Sequence, residues 1–422
     1  MNSNQFTFYL PDTPAGHAVR QIAEMIRSRG GRALLAGGGV RDLLSGKTLK
    51  DFDLEIYGLD ADTLLNTVAE KFPLDTVGMS FGVIKIRHLP IDIALPRREN
   101  KTGAGHRGFM ITTVPDLSFE EASARRDFTV NAMMCDPLTG EIIDPHGGQK
   151  DLQKKILRHV SFHFSEDPLR VLRGMQFIAR FGFAPAPETV AICRELSQEE
   201  LAPERVGAEW DKFLLQGTHQ VAAIQFLRDT GWLRFYPELA ALPGSFLDAV
   251  ADALEYAAQH RTGNDADDRI VAAAVLCRYL TEDEAANLLA GIWRRNDLQK
   301  QAITLARYAE VPAGPLPSDR SLRHTALAVE RMDLLALAAG SFFPAHEEAL
   351  EKFRERCQFL NILQTPPRPI LQGRHLIARG IKPGKDMGTI LQKCFEAQLD
   401  GEFADEKQAL QFLERVKPAT AD

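Results

Sequence analysis

Two short motifs near the start of the chain could together hold a phosphorylated ligand. A glycine run at 37–39 leads into Arg41, and Asp51 and Asp53 follow. Glycine lacks a Cβ atom, so the backbone N–H groups of such a turn can approach a phosphate closely. Asp51 and Asp53 lie two positions apart, which puts both carboxylates on one face of a strand. Adjacent carboxylates favour a divalent cation, so the pair predicts a metal site that holds a nucleoside triphosphate.

The elements around these motifs give them their weight, because a glycine turn or a strand-end Asp-x-Asp alone is usually without function. Apolar residues at 33–36 predict a strand that leads into the glycines, and 40–44 predicts the start of a helix. Residues 51–56 predict the next strand, with Phe52 and Leu54 facing the core. Further expectations are strands at 82–87 and 91–95, helices at 16–30 and 61–71, a hairpin at 133–144, an irregular mobile loop at 97–122, and helices elsewhere after about residue 126.

Length and composition exclude several classes of protein. A chain of 422 residues with 45% hydrophobic and 25% charged residues is typical of a globular protein with two to four domains. Its five cysteines are scattered without Cys-x-x-Cys spacing, which predicts neither a zinc site nor a disulfide framework. The first residues lack a signal-peptide pattern, and no apolar run approaches membrane-spanning length. We therefore expect a cytoplasmic protein with no membrane contact.

The charge pattern leaves two interpretations open. A formal net charge of −7 argues weakly against a nucleic-acid partner, because phosphate contacts require lysine and arginine. The basic residues nevertheless cluster, which is typical both of solvated helix faces and of phosphate-binding surfaces. The clusters are Arg97, Arg98, Lys101 and Arg107; Arg125 and Arg126; Lys150, Lys154, Lys155 and Arg158; and Arg170, Arg173 and Arg180.

Later motifs add residues suited to nucleotide chemistry. Asp92 lies in an apolar run at 90–94, which predicts a third carboxylate on a strand beside the first two. Residues 125–132 read Arg-Arg-Asp-Phe-Thr-Val-Asn-Ala, and arginines pair well with triphosphate oxygens. Helical spacing would place Asp127 and Asn131 on one face.

A fourth motif runs from Glu166 through Arg173. Helical spacing makes Asp167 and Arg170 neighbours on one face, with Pro168 in the first turn. An aspartate offers hydrogen-bond acceptors and an arginine a fork of donors. From spacing alone, an ordinary surface ion pair is the better explanation of this segment.

In this order the motifs resemble those of class II tRNA nucleotidyltransferases and bacterial poly(A) polymerases. The matching segments are 37–42, 51–53, 125–132, 144–152, 166–170 and 204–209. The resemblance covers about residues 30–215. It implies an α+β fold in which a polymerase-β-like nucleotidyltransferase head, with a mixed sheet and helices, precedes an all-helical neck, body and tail.

The resemblance also implies roles for individual residues. Asp51 and Asp53 would bind Mg²⁺ in a two-ion site, with Asp92 as the third catalytic carboxylate. Asp167 and Arg170 would select the incoming base by pairing with its Watson–Crick edge. The other residues expected at the nucleotide are Gly37, Gly38, Val40, Arg41, Arg126, Asp127, Asn131, Glu166 and Arg173.

Four domains follow from the resemblance and from two proline-rich breaks at 311–317 and 364–369. Residues 144–152 resemble a hinge between head and neck. The body resembles a His-Asp phosphohydrolase domain in degenerate form, with Cys277 and Arg278 where the metal-binding dipeptide is expected. The tail resembles the part of these enzymes that grips the elbow of tRNA. The expected domains are a catalytic head at 1–150, a nucleotide-selecting neck at 151–216, a body at 217–312 and a tail at 313–422.

The leading hypothesis is therefore a CCA-adding tRNA nucleotidyltransferase. It would use CTP and ATP, contact the 3′ acceptor end and the elbow of tRNA, and require no protein partner. A poly(A) polymerase is the first alternative; the segment 78–82 disfavours it, because paired basic residues are absent after the glycine. A partial enzyme that adds only CC or only A is the second.

Overall fold

Two compact units divide the chain in the computed structural model, which describes residues 10–75, 82–101, 109–198 and 201–416. The first unit comprises residues 1–213 and 222–235, and the second comprises 214–221 and 236–422. The predicted order, an α+β head followed by helical segments, is confirmed. The segment 78–81, on which the poly(A) alternative was weighed, lies outside the described residues.

Nearly all strands lie in the first part of the first unit. They are β1 Arg32–Ala36, β2 Phe52–Tyr57, β3 Leu74–Asp75, β4 Val83–Ile86, β5 Ile91–Ala94, β6 Arg97–Lys101, β7 Phe109–Thr113, β8 Met134–Cys135, β9 Ile142–Ile143, β10 Ile156–Leu157 and β11 Ala184–Pro185.

The helices of the first unit surround this sheet or follow it. They are α1 Pro14–Ser28, α2 Gly38–Leu44, α3 Ala61–Ala69, α4 Phe119–Ala124, α5 Gly148–Lys154, α6 Leu169–Phe181, α7 Pro187–Arg194, α8 Pro203–Gln216 and α9 Gln220–Asp229. Short 3₁₀ turns occur at Thr129–Asn131, Phe162–Glu166 and Trp232–Phe235.

The described part of the second unit is helical. Its helices are α10 Pro237–Ala240, α11 Gly244–Gln259, α12 Asp265–Leu276, α13 Glu282–Ile292, α14 Asn296–Tyr308, α15 Asp319–Val329, α16 Met332–Phe342, α17 Glu347–Phe359, α18 Gly373–Ile377, α19 Lys385–Asp400 and α20 Glu406–Val416, with a 3₁₀ turn at Pro344–His346. The predicted breaks at 311–317 and 364–369 fall between helices.

A seven-stranded mixed sheet forms the core of the head, in the order β3-β4-β5-β2-β1-β8-β9. Strand β2 pairs parallel with β5 and antiparallel with β1. Its side chains alternate as predicted, because Phe52, Leu54 and Ile56 are buried while Asp53 and Glu55 face the other way. The apolar face packs in one cluster with α1 residues such as Ile22. This packing fixes the strand and leaves its acidic face free to build a site.

Two expectations about strands are wrong. The segment 97–122 contains the antiparallel pair β6 and β7 and then helix α4, whereas an irregular loop was expected. Strand β6 consists of polar residues and carries no strand signal, whereas the aromatic and β-branched residues of Phe109–Thr113 are a strand signal that the sequence interpretation missed. Strands β10 and β11, which pair in parallel, were also missed because two residues are too few for any periodicity.

The glycine pair expected at the hinge has a local structural reason. Gly147 has a φ of 76°, and a Cβ on Gly148 would lie 2.2 Å from the carbonyl oxygen of Thr129. Asp144 accepts hydrogen bonds from the backbone N–H groups of Gly148, at 2.7 Å, and Gln149, at 2.9 Å. The segment is therefore held closely against the preceding motif at 125–132, and its action as a hinge stays a prediction.

The five cysteines are buried and free, in agreement with the expected absence of a disulfide framework. Among the described residues, no helix combines the length and the apolar character that crossing a membrane requires.

Candidate active site

Three predicted acidic residues meet at one edge of the head sheet, which we call the carboxylate edge (Asp51, Asp53 and Asp92). The parallel pairing of β2 and β5 places Asp53 directly beside Asp92. Asp51 immediately precedes β2, and all three line one surface depression. Lys85 on β4 is paired with Asp92 in the sheet, and its ammonium contacts the two Asp92 oxygens at 3.0 and 2.8 Å.

The electrostatics of the carboxylate edge favour a cation. Burial raises the pKa of Asp53, and the neighbouring Asp92 and Asp51 raise it further, while Arg126 and Lys85 oppose this shift. A bound divalent cation would relieve that repulsion, and carboxylates are the ligands that Mg²⁺ prefers. Within the described residues, no three acidic, histidine or cysteine side chains form a ready metal cluster. Lys85 pairs with Asp92, which leaves Asp51 and Asp53 as the two carboxylates of this edge that could hold a cation.

The glycine turn meets an arginine of the later motif. Gly37 has a φ of 73°, and a Cβ there would lie 3.0 Å from Nη1 of Arg126. Arg126 also donates from Nη2 to Glu55 at 2.7 Å, so it joins the turn to the acidic face of β2. Val40 was expected at the nucleotide, but it is buried in the head core, so its side chain does not reach the site.

A buried network holds the motif 125–132 in place. The carboxylate of Asp127 accepts hydrogen bonds from the backbone N–H of Phe128, at 2.7 Å, and the amide of Asn131, at 2.9 Å. Arg41 in turn donates to Asn131 Oδ1 at 2.7 Å. Asp127 lies outside any helix, so the contact with Asn131 comes from a 3₁₀ turn rather than from the expected α-helical face.

Arg173 neutralises Asp127. Its Nε and Nη2 donate to Asp127 Oδ2 at 2.8 and 2.7 Å. Burial alone would raise the pKa of Asp127, but Arg173, Asn131 and Phe128 outweigh it and hold that pKa below its usual value. Glu209 on α8 lies 3.8 Å from Arg173 Nη1 and accepts from Lys212 at 2.8 Å. The segment 204–209 thus supports α6, as the sequence predicts.

The proposed base-selecting pair is arranged differently from its sequence expectation. Asp167 has an extended backbone before α6 and accepts from Arg205 at 2.7 Å, not from Arg170. Arg170 donates instead to the backbone carbonyls of His163 and Arg125, each at 2.6 Å. The simple surface ion pair between Asp167 and Arg170 is therefore absent, because each side chain is fixed by a separate partner.

Most predicted nucleotide-binding residues line one cavity of about 470 Å³, which we call the basic pocket. Eight of its fifteen lining residues are arginine or lysine, and two are aspartate. Such an excess of cations is suited to a polyanion. The predicted residues brought together there are Gly37, Gly38, Arg41, Arg126, Asp127, Asn131, Asp167, Arg170 and Arg173.

Two predicted groups lie apart from the basic pocket. Glu166 is not among its lining residues; it accepts from Arg125, at 2.7 Å, and contacts His163, at 2.8 Å. The carboxylate edge lines its own depression and is joined to the basic pocket through Arg126.

Several lining residues were not predicted. They are Arg125, Gln176, Phe177, Arg180, Arg205 and Lys212. Residues 173, 176, 177 and 180 follow helical spacing, as do 205 and 212 with 209 between them. Extending the helical face from Arg173 along α6 would have identified Arg180.

Comparisons with known proteins match three segments of the chain. Residues 33–158 match the family model described as Poly A polymerase head domain. Residues 182–242 match "Probable RNA and SrmB- binding site of polymerase A". Residues 264–413 match "tRNA nucleotidyltransferase domain 2 putative", a match that runs through the expected boundary between body and tail.

A similar curated protein is the Multifunctional CCA protein of Xanthomonas campestris pv. campestris, which is 42% identical over 219 residues. The match covers 50% of this chain and 52% of that protein, so the chain spans about half the length of the curated relatives it matches.

Solved structures extend the likeness to nearly the whole chain. The Bacillus stearothermophilus CCA-adding enzyme in complex with CTP is 25% identical, with a TM-score of 0.71 over 96% of this chain and 98% of that one. The Thermotoga maritima CCA-adding enzyme complexed with tRNA shows the same fold at 20% identity, with a TM-score of 0.67 over 96% of each chain. Together these matches show that the chain is similar to a polymerase head domain in its first part and to CCA-adding enzymes in its fold.

Proposed function

We propose that this protein adds or repairs the 3′-terminal CCA of tRNA, using CTP and ATP. The observation that carries the proposal is that Arg126, which lines the basic pocket, donates to Glu55 on the acidic face of β2 and acts electrostatically on Asp53 of the carboxylate edge. A carboxylate edge alone would suit many metal enzymes, and a basic pocket alone many phosphate-binding proteins. Their junction suits transfer of a nucleotide from a triphosphate.

The reaction joins the 3′-oxygen of the RNA to the α-phosphorus of the nucleotide. The bond from that phosphorus to the bridging oxygen breaks, pyrophosphate leaves with the electron pair, and the hydroxyl proton is lost. Asp51 and Asp53 would hold Mg²⁺, with Asp92 beside them. When bound, the metal would lower the pKa of the 3′-hydroxyl and neutralise charge on the leaving group.

The basic pocket would orient the triphosphate. Arg41 and Arg126 stand next to the glycine turn, where a phosphate can approach the backbone. Arg173 lies farther along the pocket, held by Asp127. Both carboxylate oxygens of Asp127 already accept hydrogen bonds, so a ribose hydroxyl would have to share them.

Asp167 and Arg170 would choose the base. Cytosine and adenine each present an amino donor beside a ring-nitrogen acceptor on the Watson–Crick edge, which an aspartate and an arginine can pair with. Arg205 fixes Asp167, and two backbone carbonyls fix Arg170, so both side chains are preorganised. A site that selects the incoming base without a nucleic-acid template needs preorganised side chains, because those side chains alone determine which base pairs with them.

The remaining assignments follow from the family. The relatives crystallised with CTP and with tRNA support these substrates. We propose that the C-terminal part, whose apolar cluster includes Leu376, Ile390 and Leu413, grips the tRNA elbow. The division at 150, 216 and 312 and the cytoplasmic location stay predictions.

Three tRNA transcripts, ending at the discriminator base, at C and at CC, test the proposal when CTP and ATP are supplied singly and together. The proposal predicts ordered addition that stops after CCA. Long A-tails from ATP on tRNA and on unrelated RNA alike would identify a poly(A) polymerase. Addition of C alone or of A alone would identify a partial enzyme.

A further inference from the structure

A second pocket in the first unit shares Arg41 and Arg180 with the basic pocket. It has a volume of about 650 Å³ and is built from the end of α2, the residues after it, helix α5 and the end of α6. None of the roles proposed above uses its other lining residues. It therefore has to be explained separately.

The second pocket is cationic, and of its four cations Arg41 is the one with an ion-pair partner among the described residues, Asp42 at 2.8 Å. Four of its eleven lining residues are arginine or lysine, and no aspartate or glutamate of the described chain lines it. Within the described residues, neither Lys47 nor Lys155 has a carboxylate partner. Arg180 donates to the amide of Gln176 at 3.0 Å, and burial together with the nearby Arg41 charge lowers its pKa. An anion would therefore be favoured here.

Three of these cations lie against the ring of Phe181. The charged groups of Arg41, Lys47 and Arg180 lie 4.4, 4.9 and 5.0 Å from the centre of the Phe181 ring. Cation–π contacts hold cations in place without cancelling their charge. Phe181 therefore concentrates positive charge at one wall of the second pocket.

The rest of the lining is suited to a ribose and a base. Leu44, Leu152 and Phe183 supply an apolar wall, and Gln149 and Gln153 supply amides that can both donate and accept hydrogen bonds. Simple inorganic phosphate would leave this wall without a partner. A phosphate joined to a flat heteroaromatic group would contact both parts.

We propose that the second pocket binds one nucleotide, with its phosphate on Lys47, Lys155 and Arg180 and its base or ribose on the apolar wall. The nucleotide can come from a free nucleotide or from a strand of RNA, and both share this chemistry. The assignment goes beyond the transfer reaction, because it concerns a separate site and is tested by binding.

The test compares Lys47→Gln/Lys155→Gln with the matched control Lys71→Gln/Lys154→Gln. Both double variants remove two exposed positive charges from the same unit, but only the first pair lines the second pocket. Thermal melting confirms that both fold. In one arm, ATP is titrated by calorimetry; in the other, the affinity for a tRNA transcript is measured at several salt concentrations.

A free nucleotide as the occupant predicts two ATP sites in the wild type and the control, but one in the Lys47→Gln/Lys155→Gln variant. An RNA strand as the occupant predicts about fivefold or greater weakening of tRNA binding, with a salt slope reduced by about two. If ATP stoichiometry and tRNA affinity are both the same in the variant and the control, the proposal is overturned. These readouts need no incorporation, so their failure is distinguishable from failure of the proposed function.

Discussion

The carboxylate edge and the basic pocket lie in one unit, but neighbouring groups shift the pKa of an aspartate in opposite directions in the two regions. At the carboxylate edge, burial and neighbouring carboxylates raise the pKa of Asp53, and the single ammonium of Lys85 contacts Asp92. In the basic pocket, burial would likewise raise the pKa of Asp127, but Arg173 reverses the direction. The neighbours of an ionised aspartate thus destabilise its charge at the carboxylate edge and stabilise it in the basic pocket.

This difference separates binding groups from structural groups. A carboxylate whose neighbours repel it gains most from an external cation, so the carboxylate edge is suited to a metal. A carboxylate saturated by arginine and amide donors mainly fixes those donors in place. Asp127 therefore orients Arg173 and Asn131, while Arg170 and Arg180 donate to neutral carbonyl and amide oxygens, so their charges can meet an anion.

The largest expected effect is loss of reaction at the carboxylate edge. Asp53→Asn should lower nucleotide incorporation by about a thousandfold, as expected for removal of a charge at the reacting centre. Its melting temperature at pH 7 should equal or exceed that of the wild type, because a repelled charge is removed. Asp62→Asn, on the exposed face of α3, is the control. Incorporation within about tenfold of the wild type in Asp53→Asn would show that the carboxylate edge is not the reacting centre.

The next effect is on stability in the basic pocket. Arg173→Leu leaves the buried Asp127 without its cation and should cost about 2 kcal/mol in the free energy of unfolding, measured with urea. The loss is smaller than for a fully buried ion pair because the Arg173 side chain is 33% exposed.

Arg205→Leu is the comparison, because it breaks an ion pair with the more exposed Asp167. It should cost less than about 1 kcal/mol. Equal losses for the two variants would contradict the structural role assigned to Asp127 and Arg173.

Acidification should change the stability contributed by Asp127 and by Asp53 in opposite directions. Asp127 has a lowered pKa, so the stability it contributes is present at neutral pH and is lost as pH falls below the ordinary aspartate value of about 4. Asp53 has a raised pKa, so its ionisation destabilises the fold as pH rises through its range.

Melting temperatures from pH 7 to pH 3 measure this contrast. Asp127→Asn should melt below the wild type at pH 7, with the difference shrinking on acidification. Asp53→Asn should melt at or above the wild type at pH 7 and converge with it on acidification. If both variants melt below the wild type at pH 7, or both melt above it, the two carboxylates do not have opposite effects on stability.

The smallest effect is expected at Lys85. Its ion pair with Asp92 is exposed, so Lys85→Gln should change the free energy of unfolding by no more than about 0.5 kcal/mol. The ammonium lowers the pKa of Asp53, so in the metal-free protein its removal should raise that pKa further, as followed by NMR titration of the carboxyl carbon. A lower pKa of Asp53 in the metal-free Lys85→Gln variant would contradict the electrostatic link between the two residues.

The sequence predicts the carboxylate edge better than the basic pocket, for a physical reason. Strand alternation placed Phe52 and Leu54 in the core and Asp53 opposite them, and the structure confirms this arrangement. Such a pattern is local. The apolar run around Asp92 predicts a strand beside the first two carboxylates, but the parallel pairing that sets Asp92 directly beside Asp53 was not predicted.

The basic pocket depends on contacts over long sequence separations. Arg205 and Lys212 line it from another helix, α8. No local sequence pattern predicts the ion pair between Arg205 and Asp167. Helical spacing also misplaced Asp167 and Asp127, since both lie in non-helical backbone just before their turns. The partners of a side chain are set by tertiary packing, which short motifs do not encode.

The most direct test of the account compares Asp53→Asn with Asp167→Ala in incorporation of CTP and ATP on tRNA ending at C and at CC. The account predicts that Asp53→Asn loses every nucleotide equally while tRNA binding persists. It predicts that Asp167→Ala loses the choice between C and A more than it loses triphosphate binding. Uniform loss in Asp167→Ala, with the correct base still chosen, would contradict the division between a reacting edge and a selecting pocket.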